Sequence, residues 1–243
     1  MLKNQEGNQV PSLSIPVMTN DGWSKIETDQ LFKNRTVVVF SLPGAFTPTC
    51  SASHLPRYNE LAPVFKQNGV DEIVCVSVND TFVMNAWAKD QRSNNVTLLP
   101  DGNGSFTEAM GMLVDKSAIG FGKRSWRYSM LVKNGVVEKM FIEADVAGDP
   151  FEVSDADTLL DFINPNAKKP EFVTLFSKSG CPHCARAKKL LREKGYAYEE
   201  VEIGHEVTSK TLQAVANRTS TPQIFIGGKH IGGADDLEKY FAG

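Results

Sequence analysis

Two stretches of the chain place sulfur where it can react. In SGCPHCARAKKLL, residues 179–191, Cys181 and Cys184 stand three positions apart at what reads as the start of a helix. A cysteine at that position faces unpaired backbone N–H groups and the positive end of the helix dipole, which favours its thiolate. Cys181 is therefore expected to attack. Lys178 adds positive charge three residues earlier, and Cys184, one turn further on and more buried, is placed to resolve a mixed disulfide. A Cys-x-x-Cys pair can also hold zinc, but a zinc site takes four ligands. The chain has no second such pair, His183 points off the helix, and His205 and His230 are isolated. No metal is expected.

The other stretch, SLPGAFTPTC, ends at Cys50, again where a loop enters a helix. This thiol has no partner at Cys-x-x-Cys spacing. A solitary activated thiol preceded by Pro43, Thr47 and Pro48 suggests attack on an exogenous electrophile instead of exchange within one motif. Cys75 serves as the contrast: set in IVCVSV, among strand residues, it reads as inert core and a poor candidate to resolve an oxidised Cys50.

The elements around each motif follow from hydrophobic periodicity. EFVTLFSK (171–178) reads as a strand, and PHCARAKKLLREKG as a helix with Ala185, Leu190 and Leu191 on its apolar period. A second strand (AYEEVEI), a second helix (TSKTLQAVANRT), a hairpin with a Gly-Gly turn (PQIFIGGKHIGG) and a last helix (ADDLEKYF) complete the order βαβαββα, a small mixed sheet covered by helices. Ahead of it, TVVVF (36–40) and DEIVCVSV (71–78) are runs typical of strands buried on both faces. SASHLPRYNELAPVFKQNG supplies a helical pattern in which Pro56 and Pro63 predict a kink, or a separate first turn carrying the cysteine. TFVMNAWAKDQ reads as a helix, NNVTLLPD as a strand, SFTEAMGM as a short helix, and YSMLVKNGVVEKMFIEA as a hairpin about Asn134-Gly135.

A chain of 243 residues accommodates two domains of moderate size. INPNAKKPE (163–171), with two prolines and no apolar period, marks the seam: a domain at 1–162, a linker at 163–170 and a domain at 171–243. Charge changes sign near it. Residues 1–165 carry 14 lysines and arginines against 20 acidic residues, a net −6, whereas residues 166–243 carry 12 against 9, a net +3. The overall −3 offers no footprint for nucleic acid, no apolar run reaches the roughly 20 residues that span a bilayer, and the start MLKNQEGNQV lacks a secretory pattern. Few cysteines and no leader point to a reducing, cytoplasmic setting.

Three ordered signals in the C-terminal part, CPHC after a strand, TPQIFI with Thr221 before Pro222, and GGADD at 232–236, resemble a glutaredoxin over essentially all of 170–243. The resemblance implies a cis peptide bond before Pro222 and a glutathione site. Thr221 would pair its main chain with the tripeptide's cysteine, Gly233, Ala234 and Asp235 would hold its γ-glutamyl end, and Lys178 would meet its glycine carboxylate. The residues taken singly leave plainer readings open: Asp235 and Asp236 as helix caps, and Gly232 and Gly233 as a turn. Thr221 departs mildly from the valine usual in that family.

In the larger part, Pro43, Thr47 and Cys50 fill the pattern Pro-x-x-x-Thr-x-x-Cys, which resembles the peroxidatic loop of peroxiredoxins, and RSWRYS with Arg127 resembles their later arginine segment in its type-five form. The likeness spans roughly residues 8–162 and implies two thioredoxin-like α/β domains, the larger of peroxiredoxin type and the smaller of glutaredoxin type. It also implies roles. Cys50 would attack the peroxide, Thr47 would hydrogen-bond the thiolate and orient the substrate, Arg127 would stabilise charge as the O–O bond breaks, and Pro43 would shield the site from water.

These readings combine into one expectation. A sulfenic acid at Cys50 must meet a thiol before further peroxide overoxidises it, and the larger domain offers none. Glutathione is expected to condense with it and Cys181 to remove the glutathionyl group, with hydrogen peroxide or alkyl hydroperoxides as oxidant, glutathione as reducing co-substrate and no tightly bound cofactor. A general glutathione-disulfide oxidoreductase and a peroxide sensor without sustained turnover are the alternatives. About nine extended linker residues reach only some 30 Å, so delivery from a neighbouring chain is also open. The family resemblance implies a homo-oligomer, dimer or tetramer.

Overall fold

The computed structural model describes residues 2–204 and 207–242, so His205 lies outside the described residues. The chain divides into two compact units, Met1–Lys168 and Lys169–Gly243.

The first unit is organised around strand β3 (Thr36–Leu42), in which every residue after Thr36 is buried. A hairpin of β1 (Ser14–Thr19) and β2 (Gly22–Glu27) and the short helix α1 (Thr28–Phe32) precede it. Beyond it come α2 (Leu55–Gln67), β4 (Glu72–Ser77), α3 (Thr81–Asp90), β5 (Thr97–Pro100) and α4 (Ser105–Ala109). The two short strands β6 (Leu113–Asp115) and β7 (Lys123–Ser125), the hairpin β8 (Tyr128–Lys133) and β9 (Val136–Ile142), and helix α5 (Ala156–Ile163) close the unit. The central sheet runs β5-β4-β3-β8-β9, parallel among the first three strands and antiparallel from β3 onward.

Alternation along β3 explains the apolar run from Val37 to Phe40. Val38, Phe40 and Leu42 face a cluster with Leu55, Tyr58, Trp87 and Leu160, whereas Val37 and Val39 face another with Phe32, Phe106 and Met130. Both faces are covered, and the polar residue among these positions, Ser41, is fully buried with its hydroxyl 2.9 Å from Val76 O and 2.7 Å from Ser125 Oγ. Cys75 belongs to the first cluster and is fully buried, and burial pushes its thiol well above the usual range. The expected hairpin is present: Asn134 and Gly135 both take positive φ, 47° and 79°, as a two-residue turn of the primed type demands.

The second unit has the order β10 (Val173–Ser177), α6 (Pro182–Glu193), β11 (Glu199–Glu202), α7 (Ser209–Ala216), β12 (Gln223–Ile226), β13 (Lys229–Gly232) and α8 (Ala234–Ala242). Its sheet runs β11-β10-β12-β13, with β10 and β11 parallel and the other pairs antiparallel. The buried stripe of α6 is Cys184, Ala187 and Leu191, so the expected period is displaced: Ala185 is exposed. Positions i, i+3 and i+7 lie on one face, and Ala185, one step from Cys184, turns some 100° away from it.

The stretch expected as a linker is in large part tied down. Ile163 ends α5, Asn164 Nδ2 donates to Asn68 Oδ1 at 2.8 Å, and Ala167 packs against the first cluster. On the far side Phe172 O already accepts from Gly227 N–H at 3.0 Å. Only residues 168–171 separate these anchors, a reach of about 17 Å between Ala167 and Phe172 at full extension.

Candidate functional site

The β3 strand delivers Pro43 and Gly44, both buried, to the loop that leads to Cys50. Asn79, just beyond β4, pins that loop: its Oδ1 accepts from Ala45 N–H at 3.0 Å and from the Ser77 hydroxyl at 2.7 Å. Phe46 turns the chain through φ 62°, a left-handed conformation that places its ring half in solvent. Helical structure then opens at Pro48, and Cys50–His54 forms a π-helical turn ahead of α2. The wide turn has a local cause. Leu55 N–H bonds Cys50 O, five residues back, and Pro56 has no N–H with which to restore α-helical spacing. The separate turn expected from the prolines is present, and it carries Cys50 and His54, both fully buried.

Arg127, at the entry to β8, is 1% exposed and meets this turn from the sheet side. Its Nη2 donates to Cys50 Sγ at 3.5 Å and to Asp149 Oδ2 at 2.5 Å, its Nη1 lies 3.0 Å from His54 Nδ1, and the Phe151 ring lies 5.3 Å from the guanidinium carbon. The Nε of Arg127 is buried without a hydrogen-bond partner. Thr47 sits one helical turn before the sulfur, but its hydroxyl donates to Gly44 O at 2.8 Å, so the expected bond from Thr47 to the thiolate is not the one made here. A hydroxyl has a single proton, and the Gly44 carbonyl holds it. The oxygen's lone pairs stay available.

The wall behind Arg127 is a loop organised by Glu143. One carboxylate oxygen, Oε1, accepts N–H bonds from Glu152, Val153 and Ser154 at 2.8 to 2.9 Å and the Ser154 hydroxyl at 2.7 Å. Burial pushes the Glu143 carboxyl up, but these four bonds outweigh it and hold the group below its ordinary range. Ser154 O, presented by that loop, accepts from Tyr58 Oη at 2.9 Å and lies 3.1 Å from His54 Nε2. Because a carbonyl can only accept and a guanidinium can only donate, His54 carries its proton on Nε2. Burial, and then the Arg127 charge, hold its pKa well below the ordinary 6.5.

Sequence reasoning brought Cys50, Thr47, Pro43 and Arg127 to this place but missed His54 and Asp149. For His54 the signal was the i, i+4 spacing from Cys50 on one helix. Asp149 gave none, since an irregular loop carries no period. Arg124, three residues before Arg127, was also passed over: its Nη1 donates to Val78 O at 2.7 Å and its Nε to Phe121 O at 2.9 Å, close against the Gly44 turn.

In the second unit Cys181 is the N-cap of α6 and forms a disulfide with Cys184. Cys181 Sγ also accepts from Cys184 N–H at 3.1 Å and lies 3.7 Å from both the carbonyl and the hydroxyl oxygen of Thr221. The Thr221–Pro222 bond is cis. Thr221, Pro222, Gly233, Ala234 and Asp235 line one cavity of about 460 Å³, together with Arg186 among others. His183 lies on its rim, whereas Lys178 is exposed beside the cysteine loop and outside the lining. Two expected binding groups already have partners: Asp235 pairs with Arg186, and Gly233 N–H donates to Asp236 Oδ2 at 3.0 Å. Among the described residues no cluster of three His, Cys, Asp or Glu side chains could hold a metal ion, and no helix is long and apolar enough to cross a membrane.

The comparisons with known proteins divide the chain in the same way. Residues 5–160 match the Redoxin family model and residues 173–231 the Glutaredoxin model. A hybrid peroxiredoxin, hyPrx5, of Haemophilus influenzae is 62% identical over 241 residues, covering 99% of this chain and 100% of that protein. A peroxiredoxin of Synechocystis is 56% identical over 154 residues, covering 62% of this chain and 82% of its own. Among solved structures, reduced Prx3 of Vibrio vulnificus in complex with hydrogen peroxide superposes with a TM-score of 0.62 at 42% identity, covering 66% of this chain and 99% of that one. The Plasmodium falciparum antioxidant protein, a 1-Cys peroxiredoxin, gives 0.63 at 37% identity, covering 67% and 100%. With a buried cysteine under a buried arginine in one unit and a Cys-x-x-Cys helix cap in the other, the chain belongs to the peroxiredoxins, as a redoxin domain fused to a C-terminal glutaredoxin domain.

Proposed function

We propose that this peroxiredoxin reduces hydrogen peroxide and alkyl hydroperoxides with glutathione as electron donor, and that its own glutaredoxin domain recycles the oxidised thiol. The observation that carries the reading is the Arg127 guanidinium 3.5 Å from a fully buried Cys50 sulfur. In a dry site that fixed charge stabilises the negative charge that develops on the departing oxygen, with no solvent to reorganise.

The Cys50 thiolate attacks the nearer peroxide oxygen. An S–O bond forms, the O–O bond breaks, and the departing oxygen takes a proton to leave as water or alcohol, so sulfur loses the two electrons that the peroxide gains. The unpartnered Arg127 Nε–H is a spare donor for a peroxide oxygen, and the Thr47 oxygen, its proton held by Gly44, accepts the peroxide's hydrogen. Pro43 closes the pocket to water. Cys75 does not resolve the resulting sulfenic acid, because burial keeps it a thiol. Glutathione condenses with the sulfenic acid, releasing water and leaving a Cys50–glutathione disulfide.

The Cys181 thiolate then attacks the glutathione sulfur and frees Cys50. A second glutathione attacks the resulting mixed disulfide, restoring the Cys181 thiol and leaving as glutathione disulfide. On the alternative route Cys184 attacks the Cys181 sulfur, expels the bound glutathione as its thiol and closes the pair seen here, which two further glutathiones reopen as they become glutathione disulfide. In this reading the tripeptide occupies the cavity lined by Thr221, Pro222, Gly233, Ala234 and Asp235, and its far carboxylate extends beyond that lining toward Lys178. No tightly bound cofactor is required. In the same reading the protein works in the cytoplasm as a dimer or tetramer, the glutaredoxin domain serving its own or a neighbouring chain.

The test is steady-state peroxide removal with glutathione as sole reductant, with mass spectrometry of the peroxide-treated protein. Sustained turnover and a glutathione adduct on the Cys50 peptide are expected. Turnover only with an added thioredoxin system would overturn the choice of donor.

A further inference from the structure

The guanidinium nitrogen that reaches Cys50 is shared. Arg127 Nη2 donates both to Cys50 Sγ and to Asp149 Oδ2, and Asp149 is 39% exposed while the arginine is 1% exposed. Asp149 therefore sits at the solvent edge of a buried cation, on a loop fixed from both sides. Lys116 Nζ, 4.5 Å above the Trp126 ring, donates to Gly148 O at 3.3 Å, and the Glu143 carboxylate gathers the N–H groups of residues 152–154. Phe151 lies against both Arg127 and His54. The geometry points to Asp149 as a positioning residue for peroxide reduction, one that aims the Arg127 fork at the sulfur and at the same time moderates the positive charge the sulfur feels.

Two effects follow. As an acceptor, Asp149 restrains Nη2, and a misplacement of a catalytic donor by about 1 Å can lower a rate by orders of magnitude. As an anion paired with the buried guanidinium, it offsets part of the positive charge that faces the sulfur. The titratable and charged groups about the sulfur are His54 on the π-helical turn, Tyr58 on α2, Cys75 on β4, Arg127 at the start of β8 and Asp149 on the loop. Among them Asp149 is the half-exposed one, so its replacement disturbs packing least.

Asp149→Asn keeps an acceptor and removes the charge; Asp149→Ala removes both. The measurement is the rate of the first oxidation of Cys50 in the prereduced full chain by hydrogen peroxide, across pH, by rapid quench and mass spectrometry of the Cys50 peptide. For Asp149→Asn, which keeps the acceptor, the limiting rate is expected to stay within about twofold of the unaltered chain. For Asp149→Ala the limiting rate is expected to fall about tenfold at every pH. A tenfold loss in the first variant, or an unchanged limiting rate in the second, would overturn the proposal. The inference rests on Cys50 as the reacting thiol: if the unaltered chain shows no oxidation there, that reading fails first and visibly.

Discussion

Arg127 Nη1 lies 3.0 Å from His54 Nδ1, so burial first, and then the same cation that addresses the cysteine, disfavour protonation of the imidazole. Protonating His54 would put two positive charges in contact within a dry core, which is unfavourable on both desolvation and Coulomb grounds.

A pH dependence of stability follows from that contact. The folded pKa of His54 is depressed, so below the ordinary 6.5 the unfolded chain takes up a proton that the folded chain refuses. Stability is full above pH 6.5 and falls as the pH drops through the window beneath it. Thermal melts from pH 7.5 to 5 check this, and His54→Gln, which keeps an acceptor for Arg127 and does not titrate, is expected to flatten the slope in that window.

Removing the arginine tests the electrostatic argument. Arg127→Ala is expected to slow Cys50 oxidation by roughly 10²-fold or more, the scale of one lost preorganised donor. Arg127→Lys restores charge but not the fork that reaches Cys50, His54 and Asp149 together, so only part of the loss is recovered. Rapid-quench oxidation kinetics measure both.

Glu143 predicts a structural defect with a functional echo. Glu143→Ala strips the acceptor from three backbone N–H groups and a hydroxyl, a loss on the order of 3 kcal/mol. It also frees the loop that presents Ser154 O to His54 and Tyr58. Chemical denaturation is expected to show the lost stability, and hydrogen exchange to show faster opening of residues 152–154.

Cys184→Ser separates two routes of recycling. With glutathione in excess, turnover within a few-fold of the unaltered chain is expected, because a second glutathione can clear Cys181. A coupled assay that found no turnover would establish the dithiol route.

The pairing of Arg186 with Asp235 sets two substitutions in opposition. Asp235→Ala is expected to raise the KM for glutathione about tenfold with little change in kcat, whereas Arg186→Ala, which releases Asp235 from its salt bridge, is expected to lower it. Steady-state kinetics at fixed peroxide read both.

Much of this was legible from residue order because local rules decided it. The double-faced apolar run TVVVF at 36–40, the Asn134-Gly135 turn and the Cys181 helix cap each depend on a few neighbouring side chains, and family likeness added Arg127 and the cis bond before Pro222. What escaped depends on long-range contact. The β1–β2 hairpin alternates too weakly to stand out, with most of its side chains outside the core. Asp149 meets Arg127 only because the fold lays its loop there, and the Thr47 hydroxyl turns to the carbonyl of Gly44, three residues back. Residues 163–167 look like spacer by composition, yet Asn164 and Ala167 find partners on the first unit.

That last detail turns the junction between the units into a dial. On the proposed recycling route a leash this short would hold the Cys181 sulfur at high local concentration within its reach, and slack inserted there would dilute it roughly as the −3/2 power of length. Glycine-serine insertions of graded size would therefore read out, in the recycling rate alone, whether the natural leash is already taut.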